Sequence, residues 1–490
     1  MSIPTEQLSL LTRLELIERN PLTRSLQRYD DDLDLAKALR RNPFAGGAPG
    51  VCYSRRLQLV DEVVSLVSVT PTMLAGARGL HNALFSSLDR QNPLNPNNRR
   101  RVFAFFESVG KPLKDLPWAP EFGGGLVFAG WTGNGKSRTV ERFLELVPQV
   151  VIHEANPEYG WTTLRQLVWL KVHMPSDGSR GGLLVEMLKQ IDKVLETDYA
   201  KQYLGKGWTV EKLLVVVIYI LLVHRCGLVV IEECQDRNLA ATSRFGTEFV
   251  QFFLRLLNAG MGVAVLGNPL AFDELTGSAQ TEARLTEYGW FDFMPITDVS
   301  SEEWSVDVVN GVWKAAQLLD DRDDEVEGIA QLIFDKTGGV LRYVARLRRV
   351  TLALGLRTGA RRVTKDLILS AAESPEMHGV QRQIGVFAER DLAALANWGD
   401  LPTAWIQRAW LAGDSVPEDA GAGGQPSAQP KSTASPLSES TKKPSPSRSK
   451  KAREGRNKGT PTGGVAGYLG DDFRAKLLAE LENHAALAGR

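Results

Sequence analysis

The residues best equipped for chemistry are eight consecutive ones: Gly130, Trp131, Thr132, Gly133, Asn134, Gly135, Lys136 and Ser137. They fit the pattern G-x-x-x-x-G-K-[ST], a phosphate-binding loop. Its glycines let backbone N–H groups curl around phosphate oxygens, and the N-terminus of the following helix adds its dipole. Lys136 is expected to reach the β and γ phosphates and Ser137 to offer its hydroxyl to Mg²⁺. Arg138, next in the chain, is counted with the nucleotide-binding residues. The chemistry this predicts is the binding of ATP.

A second pattern, Leu228-Val229-Val230-Ile231-Glu232-Glu233, is an apolar run closed by two acids, the form of a Walker B strand. Glu232 is expected in the Mg²⁺ shell and Glu233 as the base that polarises the attacking water. The first acid of this pattern is ordinarily Asp, so Glu232 bears on turnover more than on binding. Three further residues carry weaker signals. Asn268 closes the apolar run Val263–Gly267 as a sensor I residue of AAA+ ATPases would. Arg284 stands where such proteins often place a trans-acting arginine finger, and Arg342, in Gly339-Val340-Leu341-Arg342, where sensor II belongs. His153, His173 and His224 lack ligand spacing and read as structural.

These residues need elements to hold them. GGGLVFAG, VVIHE, LVWLKV, GLVVIEE and GVAVLGN read as strands alternating with amphipathic stretches from about 113 to 300. That alternation predicts an α/β domain on a mainly parallel sheet. Between VVIHE and LVWLKV lies NPEYGWTT rather than a helix, so a hairpin or extended excursion is expected there. Residues 1–113 read as a helical region, with Leu57, Val60, Val63, Val64 and Val67 at helical spacing and a new helix starting near Arg99 after QNPLNPNNRRR. Residues 114–300 are the expected ATPase core. Residues 301–412 read as a helical lid with further C-terminal helices, 413–464 as a disordered basic linker, and 465–490 as an amphipathic docking helix.

Composition narrows the classes. Among 490 residues, 58 Lys+Arg balance 58 Asp+Glu, which argues against a chain that binds nucleic acid simply by being basic. The balance is uneven: residues 431–458 carry nine Lys/Arg against Glu439 and Glu454, a net +7 that the rest offsets. Cys52, Cys226 and Cys234 are too few for a disulfide framework or a four-cysteine zinc site and read as reduced thiols. No basic-then-apolar leader opens the chain. The longest apolar run, Leu213–Val223, is too short to span a bilayer and reads as a buried helix. The expected class is a soluble, cytoplasmic, multidomain protein with no membrane partner.

The combined motifs over about 114–370 resemble the AAA+ superfamily. Within it, Val168-Trp169-Leu170-Lys171-Val172 running into Pro175–Arg180, and Gln91–Pro96, resemble the TnsC/TniB target-selection ATPases of heteromeric-transposase and CRISPR-associated transposons. In Gln91–Pro96, Gln stands where the family has Arg. The gap of about 95 residues between the two nucleotide motifs suits that family too. The resemblance implies an ATPase that forms rings or filaments on double-stranded DNA and links a target-site selector protein to transposase subunits. It assigns Arg180, and more weakly Lys171, to the DNA backbone. Two other readings compete. One is an AAA+ replication initiator or helicase loader, and the other a nucleotide-gated scaffold that does not bind DNA.

Overall fold

The computed structural model describes residues 10–47, 50–108, 116–119, 123–205, 209–234, 247–272, 279–321, 326–398 and 403–414. The basic linker and the docking helix expected at 413–464 and 465–490 lie, but for residues 413 and 414, outside them.

The chain enters through α1 (Leu10–Glu18), α2 (Asp32–Leu39) and α3 (Tyr53–Gln58), then a 3₁₀ turn, Val60–Ser65. Two longer helices follow, α4 (Pro71–Arg90) and α5 (Pro96–Glu107). The single helix that the spacing of Leu57 to Val67 predicts is not formed. The segment breaks at Leu59, and Val67 pairs in an isolated bridge with Arg41. What that spacing encodes is a buried stripe (Val60, Val63 and Leu66) on a tighter 3₁₀ path.

The sheet and its cover come next: β1 (Gly125–Gly130), α6 (Lys136–Glu145), β2 (Val150–His153), β3 (Leu164–Leu167), β4 (Trp169–His173), α7 (Arg180–Leu195), α8 (Tyr199–Tyr203), α9 (Val210–Val223), β5 (Leu228–Glu232), α10 (Thr247–Asn258), β6 (Gly262–Gly267), α11 (Ala279–Leu285) and β7 (Trp290–Phe293). Five strands form one parallel sheet in the order β4-β5-β6-β1-β7. The predicted excursion is a real antiparallel hairpin, β2 with β3. The run LVWLKV splits at Val168, its first residue ending β3 and the remainder forming β4.

Alternation within the strands sorts the core. Leu126 and Phe128 on β1, Leu228 and Val230 on β5, and Ala264 and Leu266 on β6 face α4 and α6. Val127, Ala129, Val229, Ile231, Val263 and Val265 face α7, α9 and α10. Both faces are covered, as a parallel sheet requires. Residues before β1 therefore supply a layer of the α/β core. Helix α4 comes close enough to do so because of two glycines: a Cβ at Gly76 would stand 2.7 Å from the Phe128 ring, and one at Gly79 2.8 Å from the Tyr288 carbonyl. Thr70 caps it through Met73 N–H, and Pro71 opens it.

After β7 the chain is helical: a π-helical segment Glu303–Lys314, α12 (Ile329–Asp335), α13 (Leu341–Thr358) and shorter helices to residue 414. Their core holds Trp304, Trp313 and Leu347, and it also takes in Val60, Val63, Leu66 and Trp131. The N-terminal stretch is thus shared between two bodies, α4 on the sheet and residues 53–66 on the helical lid. No helix among the described residues is long and apolar enough to cross a membrane.

Candidate nucleotide-binding site

The phosphate loop leaves the C-terminal end of β1, the edge where open parallel sheets place ligands. Gly130, Gly133 and Gly135 carry φ of 155°, 96° and 98°, the last as left-handed cap of α6. At Gly133 a Cβ would lie 2.7 Å from the Cβ of Arg342. The glycine therefore serves the lid contact as well as the turn. Lys136 Nζ donates to the carbonyls of Gly130 (2.7 Å) and Trp131 (3.1 Å), and burial lowers its pKa to about 8. Thr132 and Ser137 line the cavity beside it. Arg138 turns to the Val64 carbonyl, 3.1 Å away.

Two neighbours in sequence, Glu232 and Glu233, are treated differently. Glu232 is 4% exposed. Its Oε2 meets Lys171 Nζ at 2.9 Å, and its Oε1 is buried with no hydrogen-bond partner. Glu233 sits at φ 56° with its side chain 56% exposed into the cavity. A left-handed glutamate is a strained position of the kind active sites retain. His173 Nδ1 stands 3.7 Å from Glu232 and 3.9 Å from Glu233. It therefore belongs to the site, unlike His153 and His224, which hydrogen-bond to Gln166, Tyr199 and the Arg165 carbonyl.

The lid closes the other side. Arg342 N–H donates to the Gly133 carbonyl (2.9 Å), and Leu341 N–H reaches Asn134 Oδ1 (3.4 Å). Arg342, Ala345, Arg346 and Arg349 turn one face of α13 to the cavity. Trp131 leaves the loop for the lid core, its ring 5.9 Å from that of Phe387. A third wall, Val64, Leu66, Val67, Ser68 and Thr70, is mostly apolar. The enclosed volume is about 660 Å³, within the range of small-ligand pockets. The loop wall suits phosphates, and the wall at 64–70 suits a flat apolar ring.

The donor set fits Mg²⁺ with nucleotide: the Ser137 hydroxyl lines the cavity, and Glu232, just behind the lining at the end of β5, keeps a buried carboxylate oxygen without a partner. When bound, the ion would neutralise charge on phosphate oxygens. Among the described residues, no cluster of His, Cys, Asp and Glu could hold a metal by itself.

The remaining predicted residues are not brought together here. Asn268 follows β6, where its Oδ1 accepts from Leu270 N–H at 3.1 Å and shapes a turn. It does not line the cavity, and neither does Arg284 on α11. Arg180 opens α7 behind the Ser179 cap; burial, and after it the charge of Arg180, lower the pKa of Arg255 on α10. Lys171 is held between Glu232 (2.9 Å) and Glu141 (3.6 Å), its charge facing the acid of β5. Arg346 and Arg349 were missed, although their spacing from Arg342 on a helix was visible. The wall at 64–70 carries no motif at all.

No family model matches the chain, and no curated protein matches it. Solved structures do at low similarity. The ORC2 protein of Aeropyrum pernix in its ADP form is 15% identical, with a TM-score of 0.33 over 56% of this chain and 66% of that one. For Cdc6p of Pyrobaculum aerophilum the values are 14%, 0.33, 55% and 64%. For Drosophila ORC bound to DNA they are 14%, 0.33, 82% and 86%. The chain spans just under two thirds of the first two proteins. At these scores the likeness carries no functional argument, and the α/β fold rests on the sheet order and the loop that leaves it.

Proposed function

We propose that this protein is an AAA+ ATPase that regulates DNA transposition, with an ATPase core at 114–300 and a helical lid from 301. ATP and Mg²⁺ occupy the cavity between loop and lid. The protein assembles as a ring or filament on double-stranded DNA and links a target-site selector to transposase subunits. The observation that carries the ATPase reading is the convergence of Lys136, Ser137, Glu233 and the α13 arginines on one cavity. The transposition reading rests on the resemblance of segments 91–96 and 168–180 to TnsC/TniB proteins.

The division of labour follows from position. Lys136 and the loop amides bind the phosphates. Glu232, oriented by Lys171, holds the metal side, and Glu233 takes a proton from the attacking water. Arg342 senses the phosphates from the lid because its own N–H is tied to Gly133. Arg284, outside its own cavity, acts on a neighbouring subunit, and Asn268 steadies the end of β6. Arg180 supplies a phosphate contact that assembly repeats, so many weak terms sum to useful affinity.

The test is electron microscopy of the full chain with duplex DNA in ATP, a non-hydrolysable analogue and ADP. Ordered assemblies are expected with the first two and not with the Lys136→Ala protein. Equal assembly by that variant would sink the proposal. Retention of a replicative helicase instead of a transposase subunit would favour the loader reading.

A further inference from the structure

The segment QNPLNPNNRRR has no part in the nucleotide cavity, yet it is deeply built into the fold. Gln91 is fully buried and donates to the Cys226 carbonyl at 2.7 Å; Asn98 donates to the Asn92 carbonyl at 3.0 Å. The segment delivers two arginines into one corner with a third from the turn after α9. Arg101 is 8% exposed, and its Nε and Nη2 meet no hydrogen-bond partner. Arg225 is 6% exposed and, among the described residues, its side chain meets only the Gln91 carbonyl, 3.4 Å from Nη1. Arg99 donates to two carbonyls, those of Pro93 and Glu158, at 2.7 Å each. None of the three forms an ion pair among the described residues. Burial, then the charges of Arg101 and Arg99, lower the pKa of Arg225 to about 10; burial alone lowers that of Arg101.

Two buried guanidiniums, Arg101 and Arg225, with the half-exposed Arg99 beside them, are costly unless something negative joins them. Of the acids on the same cavity, Asp89 pairs with Arg28, Asp32 with Arg78, and Asp31 caps α2, while Asp30 stands exposed at the surface. Arg101 also lines a cavity of about 1400 Å³, with Asn92, Asn95, Asn98 and Tyr288 on the same walls. Its unpartnered atoms, Nε and Nη2, are the edge of a guanidinium that grips an oxyanion with two parallel hydrogen bonds. Gly260 packs close beside it: a Cβ there would lie 3.5 Å from Nη2.

We propose that this corner is a second oxyanion site, separate from the phosphate loop, that takes a phosphoryl group through the free edge of Arg101 with Arg225 and Arg99 behind it. A phosphoryl group suits three cations better than a carboxylate does, having more acceptor oxygens and up to two charges. The phosphoryl can come from a free small molecule or from a DNA backbone.

The experiment uses the full chain carrying Lys136→Ala, so that the phosphate loop does not respond, at constant ionic strength in chloride. Inorganic phosphate and pyrophosphate at millimolar concentration, and separately a short DNA duplex, are added while thermal melting is followed. A rise of about 2–4 °C is expected from at least one of them, lost when Arg101→Met is added. Without anion, Arg101→Met should melt no lower than its parent, because it removes an uncompensated buried charge. A response to phosphate or pyrophosphate that depends on Arg101 identifies a free small molecule as the source. One to duplex alone identifies the DNA backbone. A response that survives Arg101→Met, or none from any arm, overturns the proposal. Should Arg101→Met not fold, Arg225→Met gives the same readout.

Discussion

Two regions of this molecule bring together donors suited to oxyanions, and they are built in opposite ways. The phosphate loop is eight consecutive residues whose glycines turn backbone N–H groups to one point. The arginine corner is assembled from the end of α4, from α5 and from the turn after α9, with side chains as its donors. The first spends little charge, since Lys136 is its one cation and two carbonyls hold it. The second brings three charges together and leaves one buried guanidinium edge without a partner. Backbone donors give a site that sequence displays directly. Side-chain donors from distant segments give one that appears only when the chain is folded.

Several substitutions would break or sharpen that contrast. The largest effect is expected from Glu233→Gln: phosphate release should slow by about 10³-fold, with nucleotide affinity and the Arg101-dependent response unchanged. Unaltered release would remove Glu233 from the chemistry. Lys136→Ala should weaken ATP binding a few hundred-fold, roughly 3.5 kcal/mol, measured with a fluorescent nucleotide, while leaving the arginine corner responsive.

A third effect concerns His81, which lines the same large cavity as Arg101. Burial lowers its pKa to about 4, and its Nε2 accepts from Tyr29 N–H at 3.2 Å. The unfolded chain takes up this proton near pH 6.5 and the folded one only near 4. The stability that neutral His81 confers is therefore complete above pH 6.5 and lost as pH falls through 4. About 3 kcal/mol should disappear over that window, and His81→Gln should flatten the profile in denaturant titrations. The smallest effect is expected from Arg346→Ala, about tenfold in nucleotide affinity, with no change at the corner.

How much of this was legible follows the same division. The strand before the loop, the two acids and the lid arginine lie in contiguous patterns, and the structure places loop, Glu233 and Arg342 around one cavity. The hairpin β2–β3 was readable from the lack of a helix between its neighbours. The short strand β7 was not, because four residues of WFDF carry too little alternation to stand out. The pairing of Lys171 with Glu232 was not readable, because nothing local to Val168–Val172 names the neighbouring strand. Only the sheet order shows that β4 lies beside β5 and so sets Lys171 against Glu232. The apolar wall at 64–70 is set by where the lid docks, which no local pattern records.

One consequence concerns that wall. Residues 53–66 are anchored in the lid core, α4 is anchored on the sheet, and Val67 to Thr70 join them along the cavity's edge. Four residues span at most about 14 Å when fully drawn out, so this link is a short tether with little slack. A lid that swings away must pull on the Thr70 cap of α4 or peel residues 53–66 from their seat. The same stretch of chain that lines the cavity also limits how far the two bodies can part, which makes it a mechanical stop as well as a wall.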